Sequence, residues 1–245
     1  YSSSNKTYNQ TATFWYVGKD NQNTGDVFTS GGSAKTIICE LIDNTKTLTL
    51  GSSTGITGPG ILNIKKGKVI ETTTAYISGS TGGLTMEAGT LYSIAKNSSS
   101  NTDLIPRIEG LSAIYNLAAN STIELNGNNG PDAFDQYLRG ARDYKNLTFS
   151  NAGTKTVASA PSSILGTIFV SDAAILDVDN NTMGGSGTNL TMTGTSEYRT
   201  AGVGVKPDAQ EIYTLSAGKK VTFKSNAGTL KSLKLYKNYY NIKII

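Results

Sequence analysis

The clearest candidates for chemistry in this sequence are two carboxylates, Asp177 and Asp179, in the segment Ala-Ile-Leu-Asp-Val-Asp-Asn-Asn. Residues two apart on a β-strand point to the same face. Because the apolar residues take the inward face, both carboxylates are expected to point outward. Carboxylate and amide oxygens are ligands of Ca²⁺, so this pair, with Asn180 and Asn181, is a candidate calcium site. A solvated strand end that runs into an asparagine turn explains the same residues, and we favour that interpretation.

The same carboxylates are the nearest approach to an active site. Enzymes that cleave polysaccharides cluster carboxylates around the scissile bond, and here Asp172, Asp177 and Asp179 precede Arg199. The chain contains no His, so the usual base of serine and cysteine triads and the commonest zinc ligand are missing. Neither a phosphate-binding loop nor a dinucleotide fingerprint occurs. We therefore expect no catalytic residue, no cofactor and no enzymatic activity.

Aromatic side chains are the candidates for ligand binding, because an exposed ring can stack on a sugar. Tyr239 and Tyr240 are adjacent, and neighbouring residues of a strand take opposite faces, so at least one of them points outward. Tyrosines also close the core of repeat folds, which is the alternative. The first candidates are Tyr236, Tyr239 and Tyr240, and the others are Trp15, Tyr16, Tyr137 and Tyr198.

The elements that must position these side chains are short strands. Apolar and polar residues alternate in runs such as Leu84–Met86 and Leu91–Ile94, and Asn, Gly and Ser separate the runs. Alternation at period two is typical of strands with one buried face, and Gly and Asn allow the positive φ that turns need. The sequence therefore predicts an all-β protein.

A right-handed parallel β-helix (β-solenoid) is the fold that we expect, as a single segment over residues 1–245. Thr148-Phe-Ser-Asn-Ala-Gly-Thr recurs as Thr222-Phe-Lys-Ser-Asn-Ala-Gly-Thr, and degenerate repeats are expected where each turn stacks on its neighbours. The alternative is two antiparallel β-sandwich domains with a boundary near residues 97–103. That alternative favours tight hairpins, but hairpin dipeptides such as Asn126-Gly127 are not repeated systematically.

Residues 131–143 interrupt the alternating pattern. Phe134, Tyr137, Leu138 and Ala141 fit one face of a helix for about two turns, after a start rich in Asn, Gly and Pro. We expect an excursion from the repeating body here, either a short helix or an ordered loop.

Charge and hydropathy limit the kinds of partner that we expect for this chain. The net charge is +4, and residues 206–245 hold eight Lys against Asp208 and Glu211. A basic segment can bind nucleic acid. These Lys alternate with apolar residues, however, as on the solvated face of strands, where Lys also discourages edge pairing, so we expect no nucleic-acid partner. No apolar run approaches the length of a membrane span. The lone Cys39 lies in an apolar run and is expected to be a buried small hydrophobe.

Two motifs resemble a known group of proteins. They are Ser-Thr-Ile-Glu-Leu-Asn-Gly at 121–127 and Tyr-Lys-Asn-Leu-Thr-Phe-Ser-Asn-Ala-Gly-Thr-Lys-Thr-Val at 144–157. They are similar to the repetitive regions of giant surface and secreted proteins of Bacteroidota, many of which are exported by type IX secretion and act as adhesins, including gliding-motility adhesins. The resemblance covers about residues 121–200 and implies an extracellular, cell-surface β-solenoid. It departs at 131–143, a stretch that is usually much shorter in that group.

The residues and the resemblance together predict a non-catalytic structural or adhesive module that is a segment of a longer surface protein. Expected partners are a surface glycan or a solid surface, neighbouring repeats of the same chain and, through regions outside this chain, the secretion and outer-membrane machinery. One alternative is a glycan-binding or glycan-degrading β-solenoid. The other is a self-assembling filament subunit, because the ends of a solenoid are open sheet edges.

Overall fold

The computed structural model describes residues 12–28, 33–79, 81–108, 115–127, 134–179, 181, 183, 189–201, 205–206, 213–215, 220–223, 232–233 and 241–244. These residues form strands and turns and no helix, which confirms the all-β prediction. In this part of the chain, accordingly, there is no helix long and apolar enough to cross a membrane.

Most of the described strands are short, and polar corners separate them. In chain order they are β1 (Thr13–Gly18), β2 (Gln22–Asn23), β3 (Ser33–Leu41), β4 (Thr47–Thr49), β5 (Thr54–Lys66), β6 (Lys68–Ile70), β7 (Ile77–Ser78), β8 (Gly83–Met86), β9 (Leu91–Ile94), β10 (Leu104–Ile105), β11 (Tyr115–Leu117), β12 (Thr122–Leu125), β13 (Phe134–Leu138), β14 (Asp143–Tyr144), β15 (Asn146–Phe149), β16 (Gly153–Val157), β17 (Ser163–Ile164), β18 (Thr167–Val170), β19 (Ala174–Asp177), β20 (Asn189–Met192), β21 (Glu197–Thr200), β22 (Val205–Lys206), β23 (Tyr213–Leu215), β24 (Lys220–Phe223), β25 (Ser232–Leu233) and β26 (Asn241–Ile244).

The strand pairs whose registers are described are all parallel, and successive turns of the chain stack on one another. Leu147 pairs with Ile168 and Ile168 with Leu190 in one sheet, and Glu197 pairs with Lys220 in another. The separation of such partners along the chain is the length of one turn, roughly 20–25 residues, as in other solenoid repeats. Parallel stacking of successive turns defines a β-solenoid (β-helix), so that prediction is confirmed. The antiparallel β-sandwich alternative is wrong.

The chain forms two compact units, of which unit 1 comprises residues 1–96 and 106–123. Its strands form two sheets, in the orders β1-β3-β5-β8-β11, with β7 also paired to β5, and β2-β4-β6-β9. In-register pairing places Ile37 beside Leu62 and Leu62 beside Leu84. All three side chains are fully buried, so alternate residues of successive turns build one continuous apolar column.

Unit 2 comprises residues 97–105 and 124–245. Its strands follow the orders β10-β13-β16-β19-β21-β24-β26 and β15-β18-β20-β23, and β14-β17 and β22-β25 form two small pairs. Leu147, Ile168 and Leu190 make one buried column, and Leu138 and Val157 stack in the longer sheet. Each buried side chain of this size contributes about 1.5–3 kcal/mol, so the columns are the main driving force for folding.

Residues with positive φ form corners between the two longer sheets of unit 2. Asn151, Asp172 and Gly194 have φ of 60°, 56° and 63°, and they follow β15, β18 and β20. The corners also bond to one another, because the backbone N–H of Asn151 donates to Asp172 Oδ2 over 3.3 Å and that of Thr195 donates to the Asp172 carbonyl. Only glycine suits position 194, where a Cβ would lie 2.4 Å from the Asp172 carbonyl oxygen.

Asparagine side chains tie one turn to the next before several strands. The amide oxygen of Asn44 accepts the backbone N–H of Gly67 over 2.8 Å, and its amide nitrogen donates to the carbonyl of Ala88. Asn21 accepts the N–H of Thr47 in the same way over 3.0 Å. These contacts satisfy backbone donors at the corners and explain the abundance of Asn in the turns.

The structure forms a strand where the sequence predicted a short helix or an ordered loop within 131–143. β13 pairs with β10 on one side and β16 on the other. Gln136 and Leu138 are buried and Tyr137 between them is partly exposed, which is the period-two pattern of a strand. Strands on both sides offer backbone hydrogen bonds to β13, whereas an isolated two-turn helix is marginal in water. Residues 131–133 lie outside the described residues.

The sequence echo between 148–154 and 222–229 does not mark the turn-to-turn period. Thr148 lies in β15 and Thr222 lies in β24, and these strands belong to different sheets of unit 2. The period follows the register instead, in which Thr148 pairs with Phe169 and Thr222 pairs with Arg199.

The burial of Cys39 predicts an unreactive thiol. Its side chain is fully buried in β3, as expected from the sequence, and burial raises the pKa of the thiol to about 12. Because the thiolate is the nucleophile, we expect the native protein to resist Ellman's reagent at pH 8 and to release one equivalent of chromophore in denaturant. A Ser159→Cys variant supplies an exposed control thiol that reacts at once. Rapid labelling of Cys39 in the native protein contradicts the prediction.

Candidate functional sites

Asp177 closes the end of β19. It lies between Thr156 of β16 and Arg199 of β21 in the parallel register, and only 7% of its surface is exposed. Its Oδ1 accepts the backbone N–H of Asp179 over 3.1 Å. The carboxylate therefore stabilises the turn that follows the strand.

Asp179 does not share a strand face with Asp177, so the prediction of two outward carboxylates is wrong. β19 ends at Asp177, and Asp179 lies in the following turn with a φ of 47° and an exposed side chain. The backbone carbonyl of Asp179 accepts the N–H of Ala201 over 2.7 Å and the hydroxyl of Thr200 over 3.2 Å. The left-handed turn separates the two carboxylates.

The candidate calcium site consists of four side chains, and the turn uses two of them in its own hydrogen bonds. Asp177 Oδ1 accepts the backbone N–H of Asp179, and Asn181 Nδ2 donates to the carbonyl of Val157 over 2.7 Å. Asn180 lies outside the described residues. Across the described ranges no group of three or more His, Cys, Asp or Glu side chains is placed to hold a metal ion.

Glu197 is the centre of a charged cluster in unit 2. Its carboxylate is nearly buried and binds Arg199 through two contacts, Nε at 3.1 Å and Nη2 at 3.2 Å. Lys220 Nζ lies 2.8 Å from Glu197 Oε2, and the buried Thr222 hydroxyl donates to Oε1. Burial alone raises the pKa of Glu197, but the hydrogen bonds from Arg199, Lys220 and Thr222 outweigh it and lower that pKa.

A lysine ammonium lies inside unit 2. Lys155 is fully buried in the middle of β16, and its Nζ donates to the carbonyl oxygens of Gly127 at 2.8 Å, Ala152 at 2.9 Å and Asn151 at 3.2 Å. An ammonium has three N–H groups, and three carbonyls receive them here. The neighbour of Lys155 in the column is the buried Gln136, whose Oε1 accepts the N–H of Gly127.

A carboxylate and a phenol form the corresponding interior contact in unit 1. Glu71 follows β6 and is buried, and its Oε1 accepts the hydroxyl of the buried Tyr92 and, over 2.9 Å, the N–H of Ile77. Burial, together with the charge of Glu71 and the hydrogen bond to it, holds the pKa of Tyr92 well above its ordinary value. The phenol therefore stays protonated and remains a donor at neutral pH.

The aromatic candidates differ in the exposure of their side chains. Tyr236, Tyr239 and Tyr240 lie outside the described residues, and Tyr198 is buried in the core. Trp15 is 58% exposed on β1, so it is the candidate best placed to meet a ligand. Its indole contacts Glu40 and Lys65, and we call these three residues the Trp15 platform.

The sequence interpretation missed Glu197, Lys155 and Glu71. For Lys155 a signal was present, because strict alternation in Gly-Thr-Lys-Thr-Val puts the lysine on the same face as the inward Val157. Glu197 gave no such signal, because its partners on β24 are identified only by the register.

No protein-family model, no curated protein and no solved structure matches this chain. The functional proposals below therefore rest on the geometry of the described residues and on the motifs at 121–127 and 144–157.

The charged cluster predicts a loss of stability in acid. The folded-state pKa of Glu197 lies below its ordinary value of 4.5, so the cluster stabilises the fold above that value and stops doing so as the pH falls through the lowered pKa. We expect Glu197→Gln to cost about 2 kcal/mol of unfolding free energy at pH 7, and the difference from wild type to shrink toward pH 3. Urea unfolding between pH 3 and 7 measures this. Glu87→Gln, at an exposed site, is the control, and a pH-independent difference contradicts the prediction.

The buried ammonium predicts a strong dependence on Lys155. Lys155→Met keeps the approximate volume but leaves the carbonyls of Gly127, Ala152 and Asn151 without these donors, and each unsatisfied buried acceptor costs about 1–3 kcal/mol. We expect a loss of at least about 2 kcal/mol in urea unfolding. Lys19→Met, at an exposed position, should stay within about 0.5 kcal/mol of wild type. Equal stability of the Lys155 variant would show that the ammonium is not a structural tie.

Proposed function

We propose that this chain is a non-catalytic structural and adhesive module of a large extracellular surface protein, a scaffold whose outward sheet faces serve attachment. The observation that carries the proposal is the geometry of Asp177. The best candidate for acid–base or metal chemistry is nearly buried and accepts a backbone hydrogen bond that closes a turn. A general acid or base must instead be within hydrogen-bond reach of a substrate.

The other ionisable groups of the interior support the same proposal. Lys155 binds three backbone carbonyls, Glu197 binds two cations and a hydroxyl, and Glu71 binds a phenol and a backbone N–H. Apart from the Glu197–Arg199 pair, which lies within β21, these contacts join one turn to another or a strand to its corner. Polar groups used in this way favour one arrangement of the turns, which is the requirement of a scaffold.

Placement at the cell surface rests on the two motifs that resemble surface proteins of Bacteroidota. In the fold, Ile123 and Leu125 of the first motif and Leu147 and Phe149 of the second are fully buried. The apolar residues of the motifs thus lie on the inward side of solenoid turns. A long protein made of such turns projects its surface away from the cell. Within this proposal the chain is exported by type IX secretion, neighbouring repeats stack on it, and its targets are a glycan or a solid surface, in attachment or gliding.

A binding assay combined with a turnover assay tests the proposal. We expect beads that carry the purified chain to adhere to polysaccharide-coated surfaces while the polysaccharides release no reducing ends or unsaturated products over a day. Asp177→Asn keeps an oxygen that can accept the N–H of Asp179 and loses only the charge, so it should lower stability by less than about 1 kcal/mol, and Asp179→Asn, at an exposed site, is its matched control. Neither variant should change adhesion. Turnover that disappears in Asp177→Asn or Asp179→Asn contradicts the proposal and favours a glycan-degrading enzyme.

A further inference from the structure

Trp15 is the most exposed large apolar side chain in the part of the chain that the structure describes. Its ring is nevertheless held in place. Indole Nε1–H donates to Glu40 Oε2 over 3.1 Å, and the Lys65 ammonium lies 5.2 Å from the ring centroid. A ligand that stacks on an already oriented ring loses less affinity to side-chain ordering.

The surface around the ring is part of a sheet face. Trp15 pairs with Ile38 on β3, and Ile38 pairs with Asn63 on β5, so these side chains share the outward face of unit 1. Val17 lies two residues farther along β1 and is 55% exposed. Strand geometry separates Trp15 and Val17 by about 6–7 Å, which gives an apolar strip about as long as one sugar ring.

Polar groups border this strip without adding net charge. Glu40 and Lys65 form an ion pair at 3.2 Å, and both side chains are 38% exposed. Both described contacts of Glu40 use Oε2, so within the described residues Oε1 is open to a hydroxyl donor. Among these same residues Lys65 donates to Glu40 alone, which leaves further N–H groups of its ammonium for a hydroxyl acceptor.

We infer that the Trp15 platform binds a neutral glycan by stacking the indole on the C–H face of a pyranose unit, while Glu40 and Lys65 bond its hydroxyls. A pyranose has one face of C–H groups and a rim of hydroxyls that both donate and accept, and the platform offers an apolar ring with an acceptor and a donor beside it. Because the carboxylate and the ammonium balance each other, the site favours neutral chains over acidic ones. This inference rests on the proposed adhesive function and names its ligand class and site.

A single exposed platform gives weak binding. One stacked ring with solvent-exposed hydrogen bonds corresponds to a Kd on the order of 1 mM. Many copies along a long protein convert such affinity into firm attachment, because each later contact is intramolecular. Weak single sites therefore suit a repeated surface protein.

The test uses Trp15 as its own reporter, since it is the one tryptophan of the 245-residue chain. We expect cellohexaose or laminarihexaose to blue-shift its emission and to protect it from acrylamide quenching, with half-saturation at about 1 mM. Oligogalacturonate, as the acidic probe, should bind at least ten-fold more weakly. No change with any neutral oligosaccharide, or a preference for the acidic one, overturns the inference.

Variants then separate the platform from the rest of the surface. Affinity electrophoresis in gels that contain the neutral polysaccharide should show at least ten-fold weaker retardation for Trp15→Ala. Trp15→Phe should retain part of the binding, and Glu40→Gln and Lys65→Met should each weaken it. Leu165→Ala is the matched control, because Leu165 is an exposed apolar residue of unit 2, 50% exposed. Circular dichroism verifies that each variant is folded.

The two proposals fail in different ways. If Trp15→Ala is folded and binds neutral glycan like wild type, the platform is not the site, although adhesion stands. If wild type self-associates with protection of Trp15 and ignores glycans, the ring faces a second copy and the glycan inference is overturned. Polysaccharide cleavage by the wild-type chain contradicts the non-catalytic function whatever the outcome at Trp15.

Discussion

In-register parallel pairing between successive turns is the interaction on which the rest of the structure depends. A strand inside one of the longer sheets bonds to the strands one turn before and one turn after it, so an inward residue must have an inward residue beside it, as Leu147 has Ile168. A slip of one residue would turn the apolar face of a whole strand toward water. A slip of two residues would keep that face inward, and columns of Leu, Ile and Val discriminate poorly against it.

Polar contacts between turns, in the interior and at the corners, supply the missing discrimination. Lys155 reaches the carbonyl of Gly127, Glu197 reaches Lys220, and Asn44 reaches the N–H of Gly67, and each contact joins groups in different turns. A two-residue slip would leave a buried ammonium or carboxylate without these partners, at a cost of several kcal/mol. Polar residues among the apolar columns therefore help to fix the register. Buried polar groups fix the register of coiled coils in the same way.

The fold was predictable from the sequence because a solenoid repeats a local signal. Alternation in segments such as Leu84–Met86 identifies strands, and the surplus of Asn and Gly identifies the corners.

The contacts between one turn and the next depend on residues that are far apart in the sequence, and predictions that needed this information were wrong. Phe134–Leu138 has a helical spacing but lies between two strands that impose period two. Asp177 and Asp179 look like one strand face, but the strand ends between them. Glu197 has its partner Lys220 a full turn away, and the exposure of Trp15 depends on what lies over the sheet, which alternation does not encode.

The length of a turn is not constant, so the turns of such a chain can gain and lose residues in evolution. Ile168 stands between Leu147 and Leu190 in the register, yet its separations from them along the chain differ. The strands keep their register while the extra residue is absorbed in a corner, so insertions and deletions there leave the apolar columns aligned. For folding, outward positions such as that of Trp15 are constrained by strand propensity and not by packing in the columns. A lineage built on this backbone can therefore exchange its displayed side chains one turn at a time, and its surface can diversify much faster than its interior.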